Sequence, residues 1–168
     1  MNHFLTKAAL TVSLGMLISG CNFGDDDEMP TPNRTPRALS VELTTQADVL
    51  IMDSVNATDK DGDMLTYSLK TEPQLGMVRL ASDGSFTYTP NATVTGQDSF
   101  QFTASDGLLV SGAGTVNITI ENQVVSFASY SRTAFAQDEQ DQPLPTNGRE
   151  FTQDVTDLNA YDDLIDNL

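Results

Sequence analysis

Ser85-Phe86-Thr87-Tyr88-Thr89-Pro90, followed after a short turn by Asp98-Ser99-Phe100-Gln101-Phe102-Thr103, sets four aromatic rings at alternate positions. Successive residues of a strand point to opposite faces, so Phe86 and Tyr88 share one face, as do Phe100 and Phe102. Their ordinary role is core, each ring contributing about 2–3 kcal/mol on burial. The same period continues outward: Leu65, Tyr67 and Leu69 alternate, and so do Val116, Ile118 and Ile120. Turn residues punctuate the runs at Ser82-Asp83-Gly84, Pro90-Asn91, Thr95-Gly96-Gln97 and Asp106-Gly107. Short alternating runs at intervals of about 8–12 residues predict an all-β sandwich. Seven strands are predicted, near Leu39–Leu43, Val49–Val55, Met64–Lys70, Met77–Ala81, Ser85–Thr89, Asp98–Ser105 and Gly114–Ile120.

Between the second and third of these strands runs Asn56-Ala57-Thr58-Asp59-Lys60-Asp61-Gly62-Asp63. Three carboxylates at every second position around a glycine repel one another unless a cation or solvent intervenes. Calcium takes six to eight hard oxygen ligands and suits such a set; a solvated acidic turn suits it as well, because Asp and Gly are turn residues in their own right. An EF-hand does not fit. Counting from Asp59, the twelfth position is Lys70; counting from Asp61 it is Glu72, but the sixth is Thr66, where that loop requires glycine.

The segments Val55-Asn-Ala-Thr-Asp59-Lys-Asp61-Gly-Asp63-Met-Leu-Thr-Tyr67-Ser-Leu69, Gly76-Met-Val78, Asp83-Gly84-Ser-Phe86-Thr-Tyr88-Thr-Pro90-Asn91, Gly96-Gln-Asp98-Ser-Phe100-Gln-Phe102 and Ser105-Asp106-Gly107 together resemble the bacterial cadherin-like, tandem-repeat Ig-like module. The resemblance covers about half of the chain. It implies a seven-stranded Greek-key β-sandwich of the Ig/cadherin type, found in surface adhesins and matrix proteins. It also implies that Asp59 and Asp61 ligate calcium, with Asp63 beside them and Asp106 of the Ser-Asp-Gly turn as a further acidic group. Two features of vertebrate-type sites are missing: the acidic Leu-Asp-Arg-Glu segment and the Asn-Asp linker to a following repeat. A lone module therefore implies weak binding, in the ~10⁻⁴–10⁻³ M range of extracellular calcium modules.

The chain of 168 residues carries 24 Asp and Glu against 8 Lys and Arg, a net charge of −16. Such a surface repels nucleic acid and anionic lipid headgroups and attracts divalent cations or basic surfaces. Residues 1–20 read as an export signal, with Lys7 as its basic part and Ala8–Ile18 as its apolar core, too short for a span of about 20 residues. Leu17-Ile18-Ser19-Gly20-Cys21 resembles the bacterial lipobox, which implies that Cys21 is acylated and becomes the mature N-terminus; Asn22 after it suits the outer membrane of a Gram-negative cell. Residues 21–37, with Asp25-Asp-Asp-Glu28 and Pro30, Pro32 and Pro36, predict an extended tether that does not pack. With the only Cys acylated, no disulfide is available to the fold.

Residues 38–121 form the expected sandwich, and residues 122–168 an acidic extension of different composition. In the extension, Val124–Tyr130 reads as a strand, Asn147-Gly148 as a hairpin signal, and Pro143 and Pro145 place any strand there at an edge. Asp157 reads as the N-cap of a closing helix that aligns Leu158, Tyr161, Leu164, Ile165 and Leu168. That segment either folds back on the sandwich or docks on a partner.

Catalysis is not expected. His3, the only His, lies in the leader, and Cys21 is the acylation site, which removes the usual general base, thiol nucleophile and zinc ligands. The expected function is that of a cell-envelope lipoprotein bearing a calcium-binding adhesion module that contacts a surface protein or glycan. The alternative is a non-catalytic accessory subunit of an envelope assembly, docked through its C-terminal segment.

Overall fold

In the computed structural model, residues 31–157 and 159–165 are described. The leader and Cys21 lie outside them, as do Leu158 and Leu168 of the expected closing helix.

The strands in chain order are β1 (Arg37–Ala38), β2 (Val41–Gln46), β3 (Ile51–Ser54), β4 (Ala57–Thr58), β5 (Thr66–Thr71), β6 (Gly76–Leu80), β7 (Ser85–Pro90), β8 (Gly96–Ser105) and β9 (Gly114–Glu121). One sheet has the order β2-β9-β8-β5 and the other β3-β7-β6. All of these pairings are antiparallel except β2 with β9, which run parallel from Val41↔Val116 to Gln46↔Glu121. All seven expected strands are present, with ends shifted by a few residues, in the expected Ig/cadherin sandwich. The minor pair β1–β4 adds to it, joined antiparallel through Arg37↔Thr58 and Ala38↔Ala57.

Alternation builds the core. Along β8 the buried residues are Asp98, Phe100, Phe102 and Ala104, and along β9 they are Gly114, Val116, Ile118 and Ile120. From the opposite sheet come Phe86, Tyr88 and Val78. Phe86 meets Phe100 edge-on with ring centres 5.2 Å apart, so the four rings are core as their spacing requires. Gly114 faces Phe102 across the ladder, where a β-carbon would stand 2.6 Å from that ring.

Asp98 is the exception in this apolar set, only 7 % exposed. Its carboxylate accepts hydrogen bonds from the Tyr88 hydroxyl at 2.6 Å and from the N–H groups of Gln74 and Leu75 at 2.9 Å and Ser99 at 2.8 Å. Burial alone raises a carboxyl's pKa, but these four bonds outweigh it and hold Asp98 below the usual range. Tyr88 is pushed up, first by burial and then by the carboxylate.

After β9 the chain forms a second, smaller arrangement: β10 (Gln123–Ser126), helix α1 (Phe127–Phe135), β11 (Arg149–Thr152) and the short helix α2 (Asp162–Ile165). β10 and β11 pair in parallel, Gln123↔Arg149 through Ser126↔Thr152. The expected strand over Val124–Tyr130 therefore stops at Ser126, whose hydroxyl caps α1 by accepting from the Ser129 N–H at 3.0 Å. Asp154 accepts from the Ala128 N–H at the same helix end. The hairpin read at Asn147-Gly148 is also corrected, because β11 pairs with the distant β10 and not with a strand just before the turn. The closing helix begins at Asp162 rather than after Asp157, which instead accepts the Asn159 N–H in a turn.

Phe151 packs edge-on against Tyr130, 4.7 Å between ring centres, and against Phe127 at 6.1 Å. Arg132 binds both carboxylate oxygens of Asp163 at 2.7 and 3.1 Å and lies over the Tyr161 ring, joining α1 to α2. Among the described residues of this unit none is fully buried, and Val124, Phe127 and Phe135 remain 51 %, 42 % and 68 % exposed.

The unit is fixed to one end of the sandwich. Asp48, in the turn after β2, binds Arg149 at 2.7 Å and accepts the Thr93 N–H at 2.9 Å. Gly148 lies so close that a β-carbon would stand 2.6 Å from the Thr93 carbonyl oxygen.

Candidate metal centre

The acidic turn lies at the other end of the sandwich, where the chain enters. β4 ends at Thr58, held by its pairing with Arg37, and β5 begins at Thr66, paired with Ser105, so the turn is anchored on both flanks. Within it, Asp59 folds the backbone around its own carboxylate: Oδ1 accepts from the N–H groups of Asp61 at 2.7 Å and Gly62 at 3.1 Å. Gly62 supplies the positive φ, +82°, that lets the chain turn back towards Asp63.

The result is convergence. Asp59, Asp61 and Asp63 each offer a carboxylate oxygen within 4.8 Å of the others. Two oxygens on opposite sides of a calcium ion bound at ~2.3–2.6 Å stand about 4.6–5.2 Å apart, so one ion spans this set. The second oxygen of Asp59, Oδ2, is buried and has no hydrogen-bond partner. A buried carboxylate oxygen in that condition carries a desolvation cost that a coordinated cation removes. The donor set is oxygen only, which suits calcium and not zinc.

Two residues that sequence reasoning assigned to an unpacked tether take part. The Arg34 N–H donates to Asp61 Oδ2 at 2.6 Å, and its guanidinium reaches Asp61 Oδ1 at 3.3 Å. Asn33 donates from its side-chain amide to Asp106 Oδ2 at 2.9 Å. Pro36 is buried and Arg37 is already in β1, so the stretch read as unpacked up to residue 37 is tied down in its last residues. No local pattern announces this, because both contacts join residues far apart in the chain.

Asp106 is not one of the three converging carboxylates. Its Oδ1 accepts from Leu109 and Leu108 N–H at 2.6 and 2.7 Å, which shapes its own turn. Those bonds, the one from Leu109 foremost, with the Asn33 amide adding to them, hold its pKa low. Asp106 thus fixes the adjoining loop and, through Asn33, the incoming chain. That loop and the acidic turn spring from the same end of the β5–β8 pair and expose apolar tips, with Met64 at 87 % and Leu108 at 81 %. Among the described residues no helix is long and apolar enough to cross a membrane.

No curated protein matches the chain. Among solved structures, the human protocadherin-24 EC1-2 fragment is similar at 15 % identity and a TM-score of 0.45, over 56 % of this chain and 52 % of that one. An endo-fucoidan hydrolase from glycoside hydrolase family 107 is similar at 19 % identity and a TM-score of 0.40, over 55 % and 17 %. A SusE-like surface located polysaccharide binding protein from the Bacteroides thetaiotaomicron heparin utilisation locus gives 17 % and 0.38, over 58 % and 17 %. The chain thus spans about a sixth of the length of these last two proteins and half of the first, and the likenesses concern the fold alone. The model of the bacterial cadherin-like domain matches residues 32–122, beginning beside Asn33 and ending just past β9. With more than half of its length so matched, the chain belongs to the bacterial cadherin-like domain family.

Proposed function

We propose that this protein is a non-catalytic cell-envelope lipoprotein whose cadherin-like domain binds calcium through Asp59, Asp61 and Asp63 and serves adhesion or recognition. The observation that carries the calcium reading is the convergence of one carboxylate oxygen each from Asp59, Asp61 and Asp63 to within 4.8 Å, and the buried Asp59 Oδ2 without a hydrogen-bond partner supports it. Calcium here offsets mutual repulsion and stiffens the turn that exposes Met64, beside the Leu108 loop that Asp106 holds. Residues 1–20 act as the export signal, Cys21 carries the acyl anchor in the outer membrane, and the chain from 21 towards the sandwich is the tether. Partners are a surface or envelope protein or a glycan, and not nucleic acid, which the net charge of −16 repels.

Calcium titration of the exported form, followed by thermal unfolding, tests the metal. Binding to the folded state alone at ten times Kd adds about 1.4 kcal/mol, a rise of roughly 5 °C. An unchanged midpoint at ~10 mM calcium removes the claim. Growth with labelled palmitate tests the anchor: label on the wild type and none on Cys21→Ser is the expected result.

A second reading, in which the C-terminal unit docks the protein onto a larger envelope assembly, is favoured by the exposed Phe127 and Phe135 on a folded and not a trailing segment.

A further inference from the structure

Where the C-terminal unit meets the sandwich there is an open cleft of about 510 Å³. Its walls include Gln46 at the end of β2, Gly96 at the start of β8, and Glu121 and Asn122 at the end of β9; Val124 of β10 and Glu150 of β11 close the other side. Val124 and Glu150 are register partners and so share a face of the small parallel sheet. Arg149, Val125 and Phe151 point to the opposite face, and there Phe151 packs on Phe127 and Tyr130 of α1. The cleft is therefore the face of β10–β11 that the chain's own helix does not cover.

Its chemistry is one-sided. Among the described residues no basic one lines the cleft, and Arg149, the nearest in sequence, is bound to Asp48. Among the described residues, neither Glu121 nor Glu150 has a side-chain hydrogen bond or ion pair. In the same lining the half-exposed Val124, register partner of Glu150, offers apolar surface. Two carboxylates and an aliphatic side chain in one cleft match the lysine side chain, whose methylene stem lies on apolar surface while its ammonium seeks an anion. Parallel strands, moreover, are ordinarily covered on both faces.

We propose that this cleft is the docking site for a basic protein segment, with lysine stems over Val124 and ammonium groups at Glu121 and Glu150. The inference goes beyond the docking reading, which rests on Phe127 and Phe135 of α1 across the sheet from the cleft, and it is independent of calcium. A second copy of this chain is the wrong occupant on charge: residues 122–168 carry nine acidic residues and two basic ones, so two such units repel.

The test uses the isotope-labelled, exported full chain in chelator, titrated with a short peptide of alternating lysine and valine and followed amide by amide. A control peptide carries glutamine in place of lysine. We expect saturable shifts centred on Gly96, Glu121, Asn122, Val124 and Glu150. Binding should weaken about fivefold in the E121Q/E150Q double variant, whose spectrum also reports that it is folded, and weaken again in Val124→Ser. Equal shifts with the glutamine peptide, shifts spread over the whole acidic surface, or an unchanged affinity in E121Q/E150Q would each overturn the proposal. So would saturation of the same amides by calcium alone in the absence of chelator, which makes the cleft a metal site. Shifts confined to residues 59–63 belong to the acidic turn and refute the cleft without touching the calcium reading.

Discussion

The Tyr88 hydroxyl, on one sheet, donates to the buried Asp98 carboxylate on the other at 2.6 Å, so a polar bond joins the two sheets across the core. The same carboxylate holds the backbone of Gln74 and Leu75, in the link between β5 and β6.

This contact sets an acid limit on stability. Asp98 has a folded-state pKa below its unfolded value of about 3.9, so its stabilisation is present above that value and is lost as the pH falls through the lower, folded one. Asp98→Asn turns an amide donor towards backbone donors and should cost about 1–3 kcal/mol at neutral pH. Urea unfolding at pH 7 and pH 3 checks both points: the deficit of the variant should shrink at the lower pH.

At the acidic turn, Asp59→Asn or Asp61→Asn should abolish the calcium-induced rise in melting temperature. Arg34→Gln should act in the opposite sense. Its guanidinium occupies Asp61 Oδ1 at 3.3 Å, and removing an exposed competitor of this kind should tighten calcium about two- to fivefold, read by isothermal titration.

Gly114→Ala should destabilise by about 1–3 kcal/mol, because the added methyl meets the fully buried Phe102 ring 2.6 Å away. Thermal or urea unfolding of the variant measures the loss. Replacement of Phe102 by Leu in the same chain should recover part of it.

Asp48→Asn should loosen the C-terminal unit without unfolding the sandwich. Hydrogen exchange is the informative measurement: the Gln123 amide, bonded to Gly148 at 2.8 Å, should lose protection while those of β8 and β9 keep theirs. The expected local cost is ~1–3 kcal/mol, between that of an exposed and a buried ion pair.

The sandwich was legible because each of its strands buries one face and so must alternate, and turn residues mark where the alternation restarts. The same rule, applied further, places Asp98 inside: it shares its face with Phe100 and Phe102, and its burial could have been read from that spacing. The acidic turn was legible as a unit, but its neighbours Asn33 and Arg34 were not, because their bonds span 73 and 27 residues and leave no local trace. The C-terminal unit was misread for a related reason. Parallel pairing of β10 with β11 is a long-range choice: Asn147-Gly148 does form a turn, with Gly148 at φ +69° and close against Thr93, but that turn leads into β11 without joining it to the strand before. Ser126 was the missed signal, a helix cap set within an apolar run.

The parallel pairing of β2 with β9 has a mechanical meaning. The chain arrives at Val41 and departs at Glu121, opposite ends of two strands that lie side by side in register over six residue pairs. Tension between those ends slides one strand along the other, so the rungs between them share the load together and are not peeled apart one at a time. The domain should therefore yield slowly under force, at a rate set by its unfolding barrier.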